Sequence, residues 1–263
     1  MFPVLLRIGG FELRTYGVML LLAFLFGIWW TGRELAAMGI PKGKEKVWDL
    51  ALWIMIFSII GARLLYVWEH WAYFSRNMGE ILAVWQGGLT FYGGLLAVPA
   101  AIVFIRAHRW PFWQTADAIA PALAAGIGIG RWGCFFNGCC YGKPTGLPWG
   151  VVLPPGTEFG ERFPGIHIHP SPLYESLAEW VLFFLLVFLI KKRAPYPGFT
   201  FFFFVFFAAL IRFLNDFTRA YAKTAYILPP LTFNQLIAIA LMATATGFII
   251  YFEIRRRRPR GAD

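Results

Sequence analysis

Seven long apolar runs, separated by short polar or glycine- and proline-rich connections, set the rhythm of this 263-residue chain. A helix that crosses about 30 Å of hydrocarbon needs roughly 20 mostly apolar residues. The runs Gly17–Ala37, Val47–Val67, Gly88–Ile105, Ala116–Phe135, Pro172–Ile190, Gly198–Leu214 and Thr232–Ile254 come close to that length. They predict an all-α integral membrane protein of seven transmembrane helices, forming one polytopic domain over residues 1–263. The fourth run is the loosest, because Gly126, Gly128 and Gly130 interrupt it and it leads straight into a polar motif. No small-residue cleavage site follows the first run, so that run is expected to stay in the membrane. No internal sequence repeat is visible, which argues against an inverted-repeat transporter.

Basic residues set the expected orientation. Cytoplasmic connections carry the excess of Lys and Arg, and Arg255–Arg258 with Arg260 close the chain. Placing that end inside also places Lys42, Lys44 and Lys46, Arg106 and Arg109, and Lys191–Arg193 inside. With Arg33 this accounts for 14 of the 24 basic residues. The predicted N-terminus is therefore outside and the C-terminus cytoplasmic. The longer connections, 69–87, 137–171 and 216–231, then fall on the outer face, with 138–171 forming a small outer loop subdomain. Function is expected there, where the chain is least regular.

Composition narrows the classes further. Charged residues make up only 14% of the chain against 59% hydrophobic, where a soluble domain carries about a quarter charged. The net charge of +10 sits in short clusters between apolar runs. It fits membrane topology and anionic headgroups rather than nucleic acid. All three cysteines lie between 134 and 140, which excludes a disulfide-stapled secreted fold.

An ionisable group at membrane depth is costly and marks a functional position by default. Arg63, Arg131, Arg212 and Arg219 all fall near the outer end of a run. One such arginine alone would be read as snorkelling to headgroups. Four at one level point to an anion, because guanidinium forks onto two phosphate oxygens, and a phospholipid phosphate is the available one. Asp216 lies four residues after Arg212 and three before Arg219, so it shares a helix face with both. It either orients the arginines or forms a structural ion pair. Tyr92, beside the paired Gly93 and Gly94, is either a headgroup anchor or a proton-transfer group. His169 either moves protons or holds its loop. Cys134, Cys139 and Cys140 do not have the spacing of a four-ligand zinc site, with His167 and His169 the only nearby complement. They read as inert, small, buried side chains, and neither metal nor cofactor is expected. A serine elbow and a two-histidine helical zinc motif are both missing.

These segments resemble the prolipoprotein diacylglyceryl transferase family. Trp85–Gly94 resembles its Trp-Gln-Gly-Gly segment, and Gly130–Thr145 its glycine- and asparagine-rich signature. His169–Glu175 resembles His-Pro-Ser-Gln-Leu-Tyr-Glu, and Arg212–Arg219 resembles Arg-x-x-x-Glu-x-x-Arg. Tyr16-Gly17, Arg63, Asp117 with Pro121, and Thr232–Gln235 also fit. The resemblance implies a seven-span enzyme of the bacterial inner membrane with its active site toward the outer face. It would move diacylglyceryl from phosphatidylglycerol to the lipobox cysteine of a prolipoprotein signal peptide, acting as a monomer and without nucleic acid or cofactor. Tyr92, Arg131 and Arg212 would be catalytic. Tyr16, Arg63, Gln86, Gly93, Gly94, Asn137, Gly142, His169, Asp216 and Arg219 would bind substrate. The chain departs from the family pattern at Tyr92 (often His), at Cys134 and Cys139 (Asn and Glu in the signature) and at Asp216 (Glu). A divergent homologue with another lipid or acceptor, and a lipid or solute transporter, are the alternative readings.

Overall fold

The computed structural model describes residues 2–9, 11–84, 87–155, 157, 160–161, 164–221 and 226–257. A hairpin of β1 (Val4–Ile8) and β2 (Phe11–Arg14) leads directly into helix α1 (Thr15–Ala37). Then follow α2 (Gly43–Glu69), a single helical turn at Trp71–Phe74, α3 (Ala97–Ala107), α4 (Phe112–Asn137), α5 (Ser171–Leu185), α6 (Phe199–Asp216) and α7 (Phe233–Arg257). A π-helical turn, Leu186–Ile190, carries α5 on through Lys191–Arg193. Two short antiparallel pairs, β3 (Val151–Val152) with β4 (His167–Ile168) and β5 (Tyr226–Leu228) with β6 (Leu231–Thr232), sit in the connections after α4 and α6.

Among the described residues, six helices are long and apolar enough to cross a membrane: α1, α2, α4, α5 with its continuation, α6 and α7. The chain is a mostly helical, multi-pass membrane protein. Their broad apolar surfaces face outward, as Trp29, Leu52, Val181 and Phe188 do, because lipid solvates them as well as a core would.

The third expected run is the exception. Its regular α-helix begins only at Ala97 and has 11 residues, which at 1.5 Å per residue is about 16 Å. The preceding Phe91–Leu96 is a 3₁₀ helix. Two glycines explain the tighter winding. A Cβ on Gly61 of α2 would collide with the Gly93 carbonyl oxygen and stand 2.6 Å from Leu96 Cβ, and a Cβ on Gly93 would collide with the Gly61 carbonyl oxygen. Backbone therefore lies directly on backbone. Thr90 N donates to Ala62 O at 3.0 Å, and Trp53 Nε1 to Ala100 O at 2.9 Å, along the same seam.

The chain divides into two compact units, Met1–Trp30 with Ala116–Asp263, and Thr31–Thr115. The glycine seam belongs to the second. The first is built on an alanine face of α4: Ala120, Ala122, Ala124 and Ala125 are buried against Trp30, Leu182, Phe183, Leu186 and Phe204. Small residues on one helix admit large ones from its neighbours, and close approach replaces the hydrophobic driving force that lipid cannot supply. Asp117 of α4 accepts hydrogen bonds from Gly198 N (2.6 Å) and Phe201 N (2.8 Å). A carboxylate thus caps the start of α6 from a neighbouring helix and complements its dipole.

The glycine seam makes a differential prediction. Gly61→Ala forces two backbones apart and should lower stability by about 1–3 kcal/mol. Gly94→Ala, whose added Cβ would meet nothing nearer than 3.9 Å, should change it far less. Thermal aggregation midpoints of the two variants in the same detergent compare them directly.

Candidate active site

The polar centre of the first unit is a carboxylate held between two guanidinium groups. Glu175, one turn into α5 and 3% exposed, meets Arg131 of α4 at 2.6 Å and Arg212 of α6 at 3.2 Å. Asn215 Nδ2 donates to the same carboxylate at 2.8 Å. Arg212 also reaches Asp216 Oδ1 at 2.9 Å and donates to Tyr221 Oη at 2.9 Å. Tyr221 in turn donates to Asp216 Oδ1 at 2.7 Å, and Thr232 Oγ1 donates to Asp216 Oδ2 at 2.9 Å. The network draws on α4, α5, α6 and the start of α7, and its charges alternate. Such pairing is what makes ions tolerable at this depth.

Beside this network lies a cavity of about 540 Å³, lined by Pro3, Val4 and Arg14 of the hairpin, Asn137–Tyr141, Thr157, and Arg219–Tyr221. Among the described residues its charged lining is Arg14 and Arg219, both basic. The Arg219 guanidinium sits 5.0 Å from the Tyr221 ring centre. Its buried Nε has no hydrogen-bond partner among the described residues. A buried donor left open beside a basic cavity suits an anionic ligand. Burial raises the Tyr221 phenol above its ordinary pKa, against the lowering effect of Arg212 and Arg219. It therefore stays protonated at neutral pH and serves as a donor.

Several expected residues act through packing. Gly142 lies against the next loop, where a Cβ would collide with the His169 carbonyl oxygen and stand 2.7 Å from Ser171 Oγ. His169 Nδ1 is 3.3 Å from Tyr174 Oη, and its backbone brackets the 142–143 strand through Gly142 N→His169 O (3.1 Å) and His169 N→Lys143 O (3.0 Å). Neither residue lines the cavity. Tyr16 covers Gly133, whose Cβ would stand 3.0 Å from its ring. Asn137 ends α4 at the cavity wall.

Of the four expected arginines, Arg131, Arg212 and Arg219 are brought together within the first unit, and Arg63 lies in the second. Its guanidinium donates to the carbonyl oxygens of Glu80 (2.6 Å), Ile81 (2.8 Å), Gly87 (2.8 Å) and Gly88 (3.0 Å). That pattern pins a connection. Gly93 serves the glycine seam and Gly94 lies beside it, where Ser58 Oγ donates to its carbonyl at 3.4 Å. Gln86 and the Tyr92 side chain lie outside the described residues.

Sequence reasoning passed over Glu175, Tyr221 and Arg14. Glu175 carried a signal, as an acid just inside an apolar run, with Glu179 one turn further on and 2% exposed. The cysteines also differ from expectation. Cys134 is buried, but Cys139 and Cys140 are half-buried and line the cavity, so they are not inert core.

Comparison with known proteins adds the decisive observation. A family profile described as prolipoprotein diacylglyceryl transferase matches residues 3–251, covering both units. The chain belongs to the prolipoprotein diacylglyceryl transferase family. Relatives named phosphatidylglycerol–prolipoprotein diacylglyceryl transferase include that of Geobacter sulfurreducens, 33% identical over 260 residues (98% of this chain and 97% of the relative). That of Thermosynechococcus vestitus is 32% identical over 252 residues (94% and 92%), and that of Finegoldia magna 32% over 255 residues (97% and 96%). Cys134 lies beside the Arg131–Glu175 pair, its sulfur 3.9 Å from Arg131 Nη1.

Removing one partner of a buried ion pair strands the other. Glu175→Ala leaves Arg131 and Arg212 facing each other and should cost about 3–5 kcal/mol. Glu175→Gln, which retains an acceptor oxygen, should cost less. Unfolding followed by thermal aggregation orders the two, and equal losses would contradict the charge argument.

Proposed function

We propose that the protein transfers the diacylglyceryl group of phosphatidylglycerol to the lipobox cysteine thiol of prolipoprotein signal peptides, forming a thioether and releasing glycerol phosphate. The observation that carries this is the basic cavity, with its unpartnered Arg219 donor, on a chain of this family. In this reading Arg219, with Arg14, holds the phosphate. Arg212 polarises Tyr221, a residue of the cavity wall, and Arg131 fixes Glu175 and thereby Arg212. Asn137 contacts the headgroup. Tyr92 positions or deprotonates the thiol. The reaction is displacement at a glycerol carbon: sulfur forms a bond to carbon, and the C–O electron pair leaves on the phosphate. Positive donors that meet the developing negative charge lower that barrier.

The topology belongs to the same proposal. The 3₁₀ segment and α3 together extend about 28 Å by their standard rises, close to the hydrocarbon thickness. We count this as a seventh crossing of a monomer in the bacterial inner membrane. The N-terminus and the 138–171 loops then face outward, and the basic end of α7 faces the cytoplasm. A fluorescent reporter fused to the C-terminus should be shielded from protease added to spheroplasts, and digestion there would reverse the orientation.

Transfer is measured with purified protein, labelled phosphatidylglycerol and a lipobox peptide, reading thioether product. Arg131→Ala and Arg212→Ala should abolish transfer in protein that still inserts. Arg219→Ala should raise KM for the lipid by roughly 10- to 100-fold, the worth of a charge-assisted contact. Full activity of both Arg131→Ala and Arg212→Ala would sink the assignment. Full activity of Tyr92→Phe would remove only the proton-transfer role.

A further inference from the structure

The end of α4 folds three sulfurs onto one point. Cys134 lies in the last turn of the helix. The chain then reverses through Gly138 and Cys140, both with left-handed backbones (φ 71° and 60°). Cys139 N donates to Cys134 O at 3.1 Å and closes the turn. The Sγ atoms of Cys134, Cys139 and Cys140 all lie within 4.8 Å of one another. Tetrahedral thiolate coordination at about 2.3 Å sets sulfurs roughly 3.8 Å apart, so small side-chain rotations bring the three into a ligand set. A left-handed backbone at a non-glycine residue is costly and persists where the surroundings demand it.

Cationic groups adjoin the sulfurs. Arg131 Nη1 lies 3.9 Å from Cys134 Sγ, and Arg219 lines the same cavity as Cys139 and Cys140. Three thiolates with one divalent cation carry a single negative charge, which a guanidinium offsets. The donor set is soft and contains no carboxylate, which selects Zn²⁺ over Mg²⁺ or Ca²⁺. A zinc site with three protein ligands keeps a fourth position for water or substrate, and here Cys139 and Cys140 border open cavity.

We propose that Cys134, Cys139 and Cys140 hold one Zn²⁺ whose fourth position, open to the cavity, binds the acceptor thiol as its thiolate. The role of the fourth position rests on the transferase reading, whereas the metal site itself does not. Binding releases the thiol proton to solvent, which leaves Tyr92 the positioning role. The bound sulfur then forms the C–S bond as the glycerol C–O bond breaks, and the electron pair leaves on the phosphate oxygen beside Arg219. No redox partner is required.

The test uses the full-length protein, purified in detergent without chelator. Elemental analysis should find about one zinc per chain, lost in a Cys139→Ser/Cys140→Ser variant whose thermal midpoint shows that it is folded. The unmodified protein loaded with Co²⁺ should show thiolate-to-metal charge-transfer absorption. A lipobox peptide should shift that absorption, and its Cys→Ser counterpart should not. Failure to take up Zn²⁺ or Co²⁺, or a mass two hydrogens light from a disulfide within the cluster, overturns the site. Metal-free protein that transfers at full rate removes the metal's role and leaves the transferase reading standing. Metal-loaded protein that transfers to no peptide keeps the site and overturns that reading instead.

Discussion

The ion-pair network of the larger unit depends on one carboxylate. Glu175 is almost fully buried, and its two oxygens are divided between Arg131 on one helix and Arg212 on another. In water such a pair contributes little, because solvent screens it and side-chain entropy opposes it. In an apolar surrounding the partners have no alternative, so the ion pairs specify which helices meet and at what depth. Asp216 and Tyr221 extend the same logic outward until the chain reaches open cavity, where Arg219 is the first arginine with a donor to spare.

The division of labour among the arginines follows from that arrangement. Arg131 and Arg212 are neutralised by acids and act as framework, and Arg63 is consumed by carbonyl oxygens. At Arg219, among the described residues, a guanidinium nitrogen is left with no acceptor. A cavity with two basic lining residues therefore differs from a membrane protein rich in arginine, and the difference is visible only once partners are assigned.

How much of this was legible in the sequence varies with the range of the interaction. Six spans could be read because run length and apolar content are local properties, and α1 begins within two residues of the expected position. The third run is the least regular, and Gly93 within it lies backbone on backbone against Gly61, some thirty residues away, a contact that run length does not reveal. Arg131, Arg212 and Arg219 stood out because charges are rare in such a chain. Glu175 was seen but not weighted, since its importance lies in two other helices arriving at the same point. The cysteine cluster was misread for a related reason: spacing does not reveal a helix end that doubles back through two left-handed residues.

The cavity wall is drawn from Pro3, Val4 and Arg14, from residues 137–141 with Thr157, and from residues 219–221, so its parts are separated by most of the length of the chain. During synthesis the hairpin emerges first, yet the wall is complete only after Tyr221 has followed, with α6 already in the membrane. The cavity is thus of very high contact order and among the last features to form. Until that moment the parts of this wall are carried on separate stretches of nascent chain, so the cavity closes only as the fold is completed.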